Sequence, residues 1–162
     1  MAEATGPRRG IVSGAKRISR TRGGFRGSAL IMLLDTHFWI WWLTPSSPLR
    51  AAERRALDAA AEAGGVHLAA ISLWEAQLLH SKQRLQLPLP FSDWLTRATD
   101  SQVLTVLPLD REVVIAVDGL PARFHGDPAD RLIVATARTH GIPLATRDRA
   151  IRRSRTAKLW SP

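Results

Sequence analysis

The chain has 162 residues, of which 45% are hydrophobic, so it is long enough for one domain with a sizeable core. No stretch approaches the ~20 apolar residues of a membrane-spanning helix, and the lack of cysteine excludes a disulfide framework and a thiol nucleophile. We therefore expect a domain without membrane contact, and the missing cysteines fit a cytoplasmic location.

The net charge of +9 is distributed unevenly along the chain. Residues 1–30 contain seven basic residues and one acidic residue, a net of +6, which leaves 16 basic and 13 acidic residues in 31–162. The first segment is rich in glycine and lacks apolar periodicity, which predicts a disordered basic arm. Met32 opens the first strand-like run, so an assignment of the start site too far upstream and an arm that binds nucleic acid are both open interpretations.

From residue 31 onward, short apolar runs alternate with helical periodicity, which is typical of an α/β domain with a parallel sheet. The predicted strands are 31–34, 66–70, 103–107 and 142–145, with 157–160 as a candidate fifth strand. The predicted helices are the segment from Asp35 to Trp42, then 49–63, 72–82, 91–100, 111–118 and 127–139.

Four acidic residues stand where strand-like and helix-like stretches meet, namely Asp35, Glu75, Asp130 and Asp148. Ligands of open α/β sheets bind beyond the carboxyl ends of the strands, so we expect these side chains to converge there. Two carboxylates ~4 Å apart repel by about 4 kcal/mol at an effective dielectric near 20, so convergence requires protonation or a cation. Oxygen ligands favour Mg²⁺ or Mn²⁺, and such a site suits phosphodiester hydrolysis.

Three of these positions also have a local structural interpretation. Asp35 and Asp148 each precede a helix or a turn, where aspartate commonly serves as a cap. The segment Ser72-Leu73-Trp74-Glu75 matches the capping-box pattern, in which the glutamate bonds back to the first residue. Taken alone, that pattern favours a structural role for Glu75.

Asp127 and Asp130 flank the start of the helix predicted over 127–139. Asp127 precedes Pro128, an arrangement typical of an N-cap followed by a first-turn proline. Asp130 then stands at the third helical position, where a negative charge is favoured by the helix dipole. We assign Asp127 mainly to capping, in support of the site, and keep Asp130 as a metal-ligand candidate.

Basic residues near the predicted acidic site are candidates for contacts with nucleic-acid phosphates. The chosen candidates are Arg84, Arg131 and Arg147, within a larger set that includes Arg149, Arg152, Arg153 and Arg155. A solvated helix face is the alternative for the more distant members. His37 is interpreted as a packing or hydrogen-bonding residue, and the sequence lacks a nucleotide-binding glycine loop and a serine-nucleophile motif.

Several blocks of sequence, in order and at consistent spacing, resemble PIN-domain ribonucleases and, more narrowly, the VapC-type toxins of toxin–antitoxin pairs. The blocks are Leu33-Leu34-Asp35-Thr36-His37, Trp41-Trp42-Leu43, Ser72-Leu73-Trp74-Glu75, Lys82-Gln83-Arg84-Leu85, His125-Gly126-Asp127-Pro128-Ala129-Asp130-Arg131-Leu132-Ile133-Val134-Ala135-Thr136-Ala137 and Leu144-Ala145-Thr146-Arg147-Asp148. The resemblance covers residues 31–160, so 31–162 is the expected nuclease domain. One departure is Gln83, where relatives commonly have glycine.

The resemblance implies a three-layer α/β/α fold with a mainly parallel sheet of four or five strands. It makes Asp35, Glu75 and Asp130 the main metal-binding acids, adds Asp148 as the fourth, and places the hydroxyl of Thr146 near the metal. It further implies an endoribonuclease that depends on Mg²⁺ or Mn²⁺ and leaves a 3′-hydroxyl and a 5′-phosphate. A cognate antitoxin and a homodimer are the implied protein partners.

Two other functions stay open at the level of sequence. In a non-catalytic nucleic-acid-binding module, the acids would be helix caps and the basic surface would hold the polymer without cleaving it. A nuclease that acts on DNA or on particular nucleic-acid structures would use the same acids on another substrate.

Overall fold

The computed structural model describes residues 30–45, 47–124 and 126–162. The basic arm predicted over 1–30 therefore lies, apart from Leu30, outside the described residues, as does His125. Within the described part of the chain, no helix is long and apolar enough to cross a bilayer.

Four parallel strands form one sheet in the order β3-β2-β1-β4. The strands are β1 (Met32–Leu34), β2 (Val66–Ala69), β3 (Thr105–Leu107) and β4 (Leu144–Ala145). β1 pairs with β2 on one side and β4 on the other, and all three of its residues are buried. Its continuous apolar run is the pattern expected of a parallel strand covered on both faces.

Seven helices complete the described fold. They are α1 (Thr36–Trp42), α2 (Ala51–Glu62), α3 (Ile71–Ser81), α4 (Phe91–Ala98), α5 (Arg111–Asp118), α6 (Pro128–His140) and α7 (Arg149–Ser154). The first six confirm the predicted helices in order. α7 was not predicted, because its only large apolar residue is the buried Ile151 and the rest of the helix is mostly arginine.

Apolar side chains cover both faces of the sheet, which gives the predicted three-layer arrangement. Met32 and Leu34 point into a core with Trp39 of α1, whereas Leu33 points into a second core with Ile133 of α6. This alternation along β1 follows from the two-residue period of a strand. The candidate fifth strand is reduced to one parallel bridge between Leu144 and Leu159, so the sheet of the described residues has four strands.

The predicted capping box at the start of α3 is wrong. The helix begins at Ile71, with Ala70 as its N-cap residue and no side-chain cap hydrogen bond. Ser72 is instead buried, and its Oγ lies 2.8 Å from Oγ1 of Thr36 in α1. Glu75 therefore does not cap α3, and its carboxylate is available for another role.

Gln83, the departure from the family pattern noted in the sequence, lies in the turn after α3. Gln83 has a φ of 56°, in the left-handed region that a residue with a Cβ seldom adopts and glycine adopts freely. A glycine at this position would relieve that conformation. The departure therefore affects a turn and leaves the acids untouched.

A buried ion pair fastens the start of α2 to the segment after β4. Glu53 is 5% exposed, and its Oε2 accepts hydrogen bonds from the backbone N of Arg50 at 2.7 Å and from Nη2 of Arg147 at 2.5 Å. Nη1 of Arg147 also donates to the carbonyl oxygen of Pro48 at 2.8 Å. Because Arg147 immediately precedes Asp148, this clamp helps to set the position of the fourth acid.

Replacing Glu53 with glutamine tests the clamp. We expect Glu53→Gln to lower the free energy of unfolding by about 1–2 kcal/mol, because Arg147 loses a charged acceptor while about a third of its side chain stays in water. Urea denaturation measures the change. Glu112→Gln removes an exposed ion pair with Arg111 and should leave the unfolding midpoint unchanged. Equal midpoint shifts in both variants would show that Glu53 is not part of a stabilising clamp.

Candidate functional site

Asp35 lies at the centre of the carboxyl edge of the sheet. Its backbone N donates to the carbonyl oxygen of Ala145 at 3.0 Å, which extends the pairing of β1 and β4 by one residue. It occupies the N-cap position of α1, but its side chain makes no capping hydrogen bond. The residue is 5% exposed, so its carboxylate is buried although it does not cap the helix, the local role that the sequence suggested for it.

Thr146 connects Asp35 with Asp148. The Thr146 hydroxyl donates to Oδ2 of Asp35 at 2.6 Å and accepts from the backbone N of Asp148 at 2.9 Å. Oδ1 of Asp148 in turn accepts from the backbone N of Ile151 and caps α7. The structure thus brings Thr146 and both acids together, and Asp148 has the capping role as well.

Glu75 reaches the same edge from α3. Its Oε2 accepts a hydrogen bond from the hydroxyl of Thr36, which is also in contact with Ser72. Thr36 and Ser72 are completely buried, so this chain of oxygens ties α1 to α3 beneath the carboxylate. Neither hydroxyl was predicted to belong to the site, although Thr36 directly follows the first acid and Ser72 lies one turn before Glu75.

Asp127 and Asp130 occupy the predicted positions at the start of α6. Oδ1 of Asp127 accepts from the backbone N of Ala129 at 2.9 Å and of Asp130 at 3.1 Å, which confirms Asp127 as the N-cap. Pro128 is the first helical residue, so Asp130 stands at the third. The Asp130 carboxyl is therefore not needed for capping.

The acids perturb one another, which shows that they converge. Burial, followed by the charges of Asp35, Asp127, Asp148 and Glu75, raises the pKa of Asp130 to about 7. Burial also raises the pKa of Asp35 and that of Glu75, while the hydrogen bonds from Thr146 and Thr36 oppose those increases. Carboxyl groups with raised pKa values in a shared electrostatic environment are typical of functional sites.

The donor set is suited to a hard divalent cation, because all its members offer oxygen. Among the described residues, however, no three His, Asp or Glu side chains are arranged so that they could already hold a metal ion. Mg²⁺ usually keeps several waters and takes only one or two carboxylates directly. The acids therefore fit a hydrated ion better than a cage of protein ligands.

The three arginines chosen as RNA contacts differ in their surroundings. Arg147 is engaged by Glu53 and lies 5.8 Å above the ring of Trp41. Arg131 donates to the carbonyl oxygen of Val117 and lies 6.0 Å above the ring of Phe124. Arg84 is exposed after α3. Two of these side chains thus support the fold, and contact with RNA stays a prediction for all three.

His37 is exposed beside the first acid, and its ring centroid lies 6.0 Å from that of Trp41. This contact agrees with the packing role expected from the sequence. A protonated His37 also lowers the pKa of Asp35 and of Glu75, although burial outweighs this effect at both acids.

Comparison with known proteins identifies the family of the chain and relatives of its fold. Residues 32–156 match the sequence profile of the PIN domain. Ribonuclease VapC22 of Mycobacterium tuberculosis is 40% identical over 124 residues, which cover 76% of this chain and 92% of the relative.

Two solved structures share the fold at low sequence identity. VapBC2 from Rickettsia felis, bound to a DNA fragment from its promoter, has a TM-score of 0.60 at 16% identity and covers 80% of this chain and 96% of that one. FitAcB from Neisseria gonorrhoeae has a TM-score of 0.60 at 22% identity and covers 82% of this chain and 98% of that one. By its profile match, its 40% identity to a VapC ribonuclease and its sheet with acids at the carboxyl edge, the chain belongs to the PIN-domain family, in the group that contains the VapC proteins.

Proposed function

We propose that this protein is a Mg²⁺- or Mn²⁺-dependent endoribonuclease and the toxic component of a toxin–antitoxin pair. The observation that carries the proposal is the convergence of acids that raises the pKa of Asp130 to about 7. A basic surface that only bound nucleic acid would not require a cluster of carboxylates, whereas metal-assisted phosphodiester hydrolysis does. RNA is the proposed substrate because the relative with 40% identity is named a ribonuclease.

Asp35, Glu75 and Asp130 would hold the ion, in part through its bound waters, and Asp148 would join directly or through water. When bound, the divalent ion supplies a Lewis acid that lowers the pKa of water and stabilises charge on the phosphoryl oxygens. The product ends would be a 3′-hydroxyl and a 5′-phosphate. The ion would need no protein ligands other than the carboxylate oxygens at this edge of the sheet.

The protein's own contribution is to orient the acids and to manage their protons. Thr146 directs one oxygen of Asp35, and Thr36 directs one oxygen of Glu75, so both carboxylates are fixed before substrate arrives. Asp130 is partly protonated near neutral pH and would release its proton as a cation binds. Affinity for the cation should consequently rise with pH.

A cognate antitoxin and a second copy of the chain are the proposed protein partners. The solved structures with the same fold include VapBC2 from Rickettsia felis, bound to a fragment of promoter DNA. On α5, Val114 and Ile115 are 54% and 63% exposed, and Leu109 just before the helix is 49% exposed. Apolar side chains that are exposed close together are common at protein–protein interfaces.

Substitution of the central acids tests the catalytic assignment. We expect Asp35→Asn and Asp130→Asn each to reduce Mn²⁺-dependent RNA cleavage at least ~100-fold, because each replaces a charged ligand by a neutral one. Asp118→Asn, at the exposed end of α5, is the matched control and should cleave at the wild-type rate.

The same assay separates the alternatives. If both site variants cleave as fast as the wild type, the assigned acids are not the catalytic site. If the wild type binds RNA but cleaves neither RNA nor DNA with Mg²⁺ or Mn²⁺, the protein is a binding module. Cleavage of DNA in preference to RNA would support the DNA or structure-specific nuclease.

The raised pKa of Asp130 predicts a pH-dependent loss of stability without metal. A carboxyl whose pKa is higher in the folded state binds its proton more tightly there, so stability falls as pH rises from about 4 to about 7. Asp130→Asn lacks this fall and should be more stable than the wild type by on the order of 2 kcal/mol above about pH 7, after allowance for solvent screening. The two proteins should converge below about pH 4.

Thermal unfolding in buffers of increasing pH, each with EDTA or with Mn²⁺, measures these differences. Mn²⁺ should raise the melting temperature of the wild type at neutral pH and have a much smaller effect on Asp130→Asn. A variant that is less stable than the wild type throughout would contradict the proposed repulsion at Asp130.

Thr146 is expected to act as a positioning residue. Thr146→Val removes the donor to Asp35 and the acceptor for the Asp148 backbone N, and should lower the cleavage rate about 10–100-fold and weaken the Mn²⁺ dependence of the melting temperature. Thr146→Ser keeps the hydroxyl and should restore most of both properties. A loss in the serine variant with none in the valine variant would show that the methyl packing, and not the hydroxyl, is what matters.

A further inference from the structure

A cavity of about 680 Å³ adjoins the acidic site and shares Thr146 with it. Its charged lining consists of four arginines and one glutamate, namely Arg50, Arg147, Arg149, Arg152 and Glu53. Two of its arginines come from α7, the helix that Asp148 caps. A cavity rich in arginine thus lies directly beside the acidic site.

The arginines of this cavity are not equally available to a ligand. Arg50 and Arg147 are paired with Glu53. Arg152 uses Nη1 to donate to the carbonyl oxygen of Thr146 at 3.1 Å and keeps its other donors. The exposed side chain of Arg149 makes no hydrogen bond or ion pair with the residues that the structure describes. The donors that can receive an anion therefore belong to α7.

An RNA strand needs such a surface because the acidic site repels it. The carboxylates that act on Asp130 come from four other residues, and one divalent ion offsets only two negative charges. The phosphates on either side of the cleaved bond must then be held by nearby positive groups. Guanidinium groups suit this purpose, since their planar donors match phosphate oxygens in pairs.

We propose that this cavity binds a backbone phosphate of the RNA next to the bond that is cleaved, with Arg149 and Arg152 as its ligands. The proposal rests on the proposed ribonuclease function and names its substrate-holding subsite. Arg147, chosen from the sequence as an RNA contact, shapes the wall of the cavity through its bond to Glu53. Thr146 joins the two sites, so a strand held here would pass over the acids.

Binding of RNA without cleavage tests the subsite. All variants carry Asp35→Asn and are kept in EDTA, and a fluorescent single-stranded RNA of mixed sequence is titrated at several salt concentrations. We expect Arg149→Ala to weaken binding about 3- to 10-fold and to reduce the slope of log affinity against log salt by about 0.7, the value for one lost phosphate contact on a single strand. Arg149→Lys should restore the slope but only part of the affinity.

Arg153→Ala is the matched control, because Arg153 lies on the same helix but lines a different cavity. It should change affinity much less than Arg149→Ala. Arg152→Lys is a second test variant, and it keeps the positive charge beside Thr146. It should weaken RNA binding without changing the melting temperature. Equal effects of Arg149→Ala and Arg153→Ala would overturn the subsite in favour of general electrostatic attraction.

Two further outcomes are decisive. If Arg149→Ala binds RNA normally but loses affinity for a poly-glutamate peptide, the cavity receives an acidic protein segment and the RNA subsite is wrong. Cleavage by the chain with native Asp35 in Mn²⁺, measured in parallel, keeps the two proposals separate. Cleavage together with unchanged RNA binding by Arg149→Ala overturns the subsite alone. Weakened binding by Arg149→Ala with no cleavage in Mg²⁺ or Mn²⁺ supports the subsite and overturns the nuclease.

Discussion

The structure depends on the burial of β1 between two parallel neighbours, with Asp35 as the residue that follows it. Parallel pairing aligns the carboxyl ends of β1, β2 and β4, and each end leads into a segment that carries an acid of the site. Apolar side chains on both faces of β1 hold this arrangement, and they also remove Asp35 from water. The packing that positions the first acid is thus the same packing that makes its charge costly.

The acidic site lowers the stability of the folded protein. Burial raises the pKa of Asp35, Glu75 and Asp130, so the folded state resists ionisation of the acids that the proposed function requires. Hydroxyl groups offset part of this cost, with Thr146 bonded to Asp35 and Thr36 bonded to Glu75. A cation would offset the rest. Local violations of the rules of stability are expected at functional sites for this reason.

The arginines of the folded region serve two different purposes. Arg147 and Arg131 are partly buried, bonded to carbonyl oxygens or to Glu53, and their loss would first affect the fold. Arg149 and Arg152 of α7 stand at the surface beside the acidic site. The net charge of a chain does not distinguish these roles, because a guanidinium that is already paired contributes little to the attraction of a polyanion. The position of each arginine in the fold decides which of them can hold RNA.

The sequence by itself determined the order of the elements, the parallel sheet, the N-cap at Asp127 and the set of acids at the strand ends, because these follow from local patterns of apolar, turn and capping residues. The capping box that it suggested before Glu75 is wrong, because that pattern is local, and it missed α7, whose apolar face is one residue wide. Only the tertiary structure decided which hydroxyl holds which acid. Thr36 and Glu75 are 39 positions apart and Thr146 and Asp35 are 111 apart, so no local pattern could predict these contacts. They form because the parallel strands end at one edge.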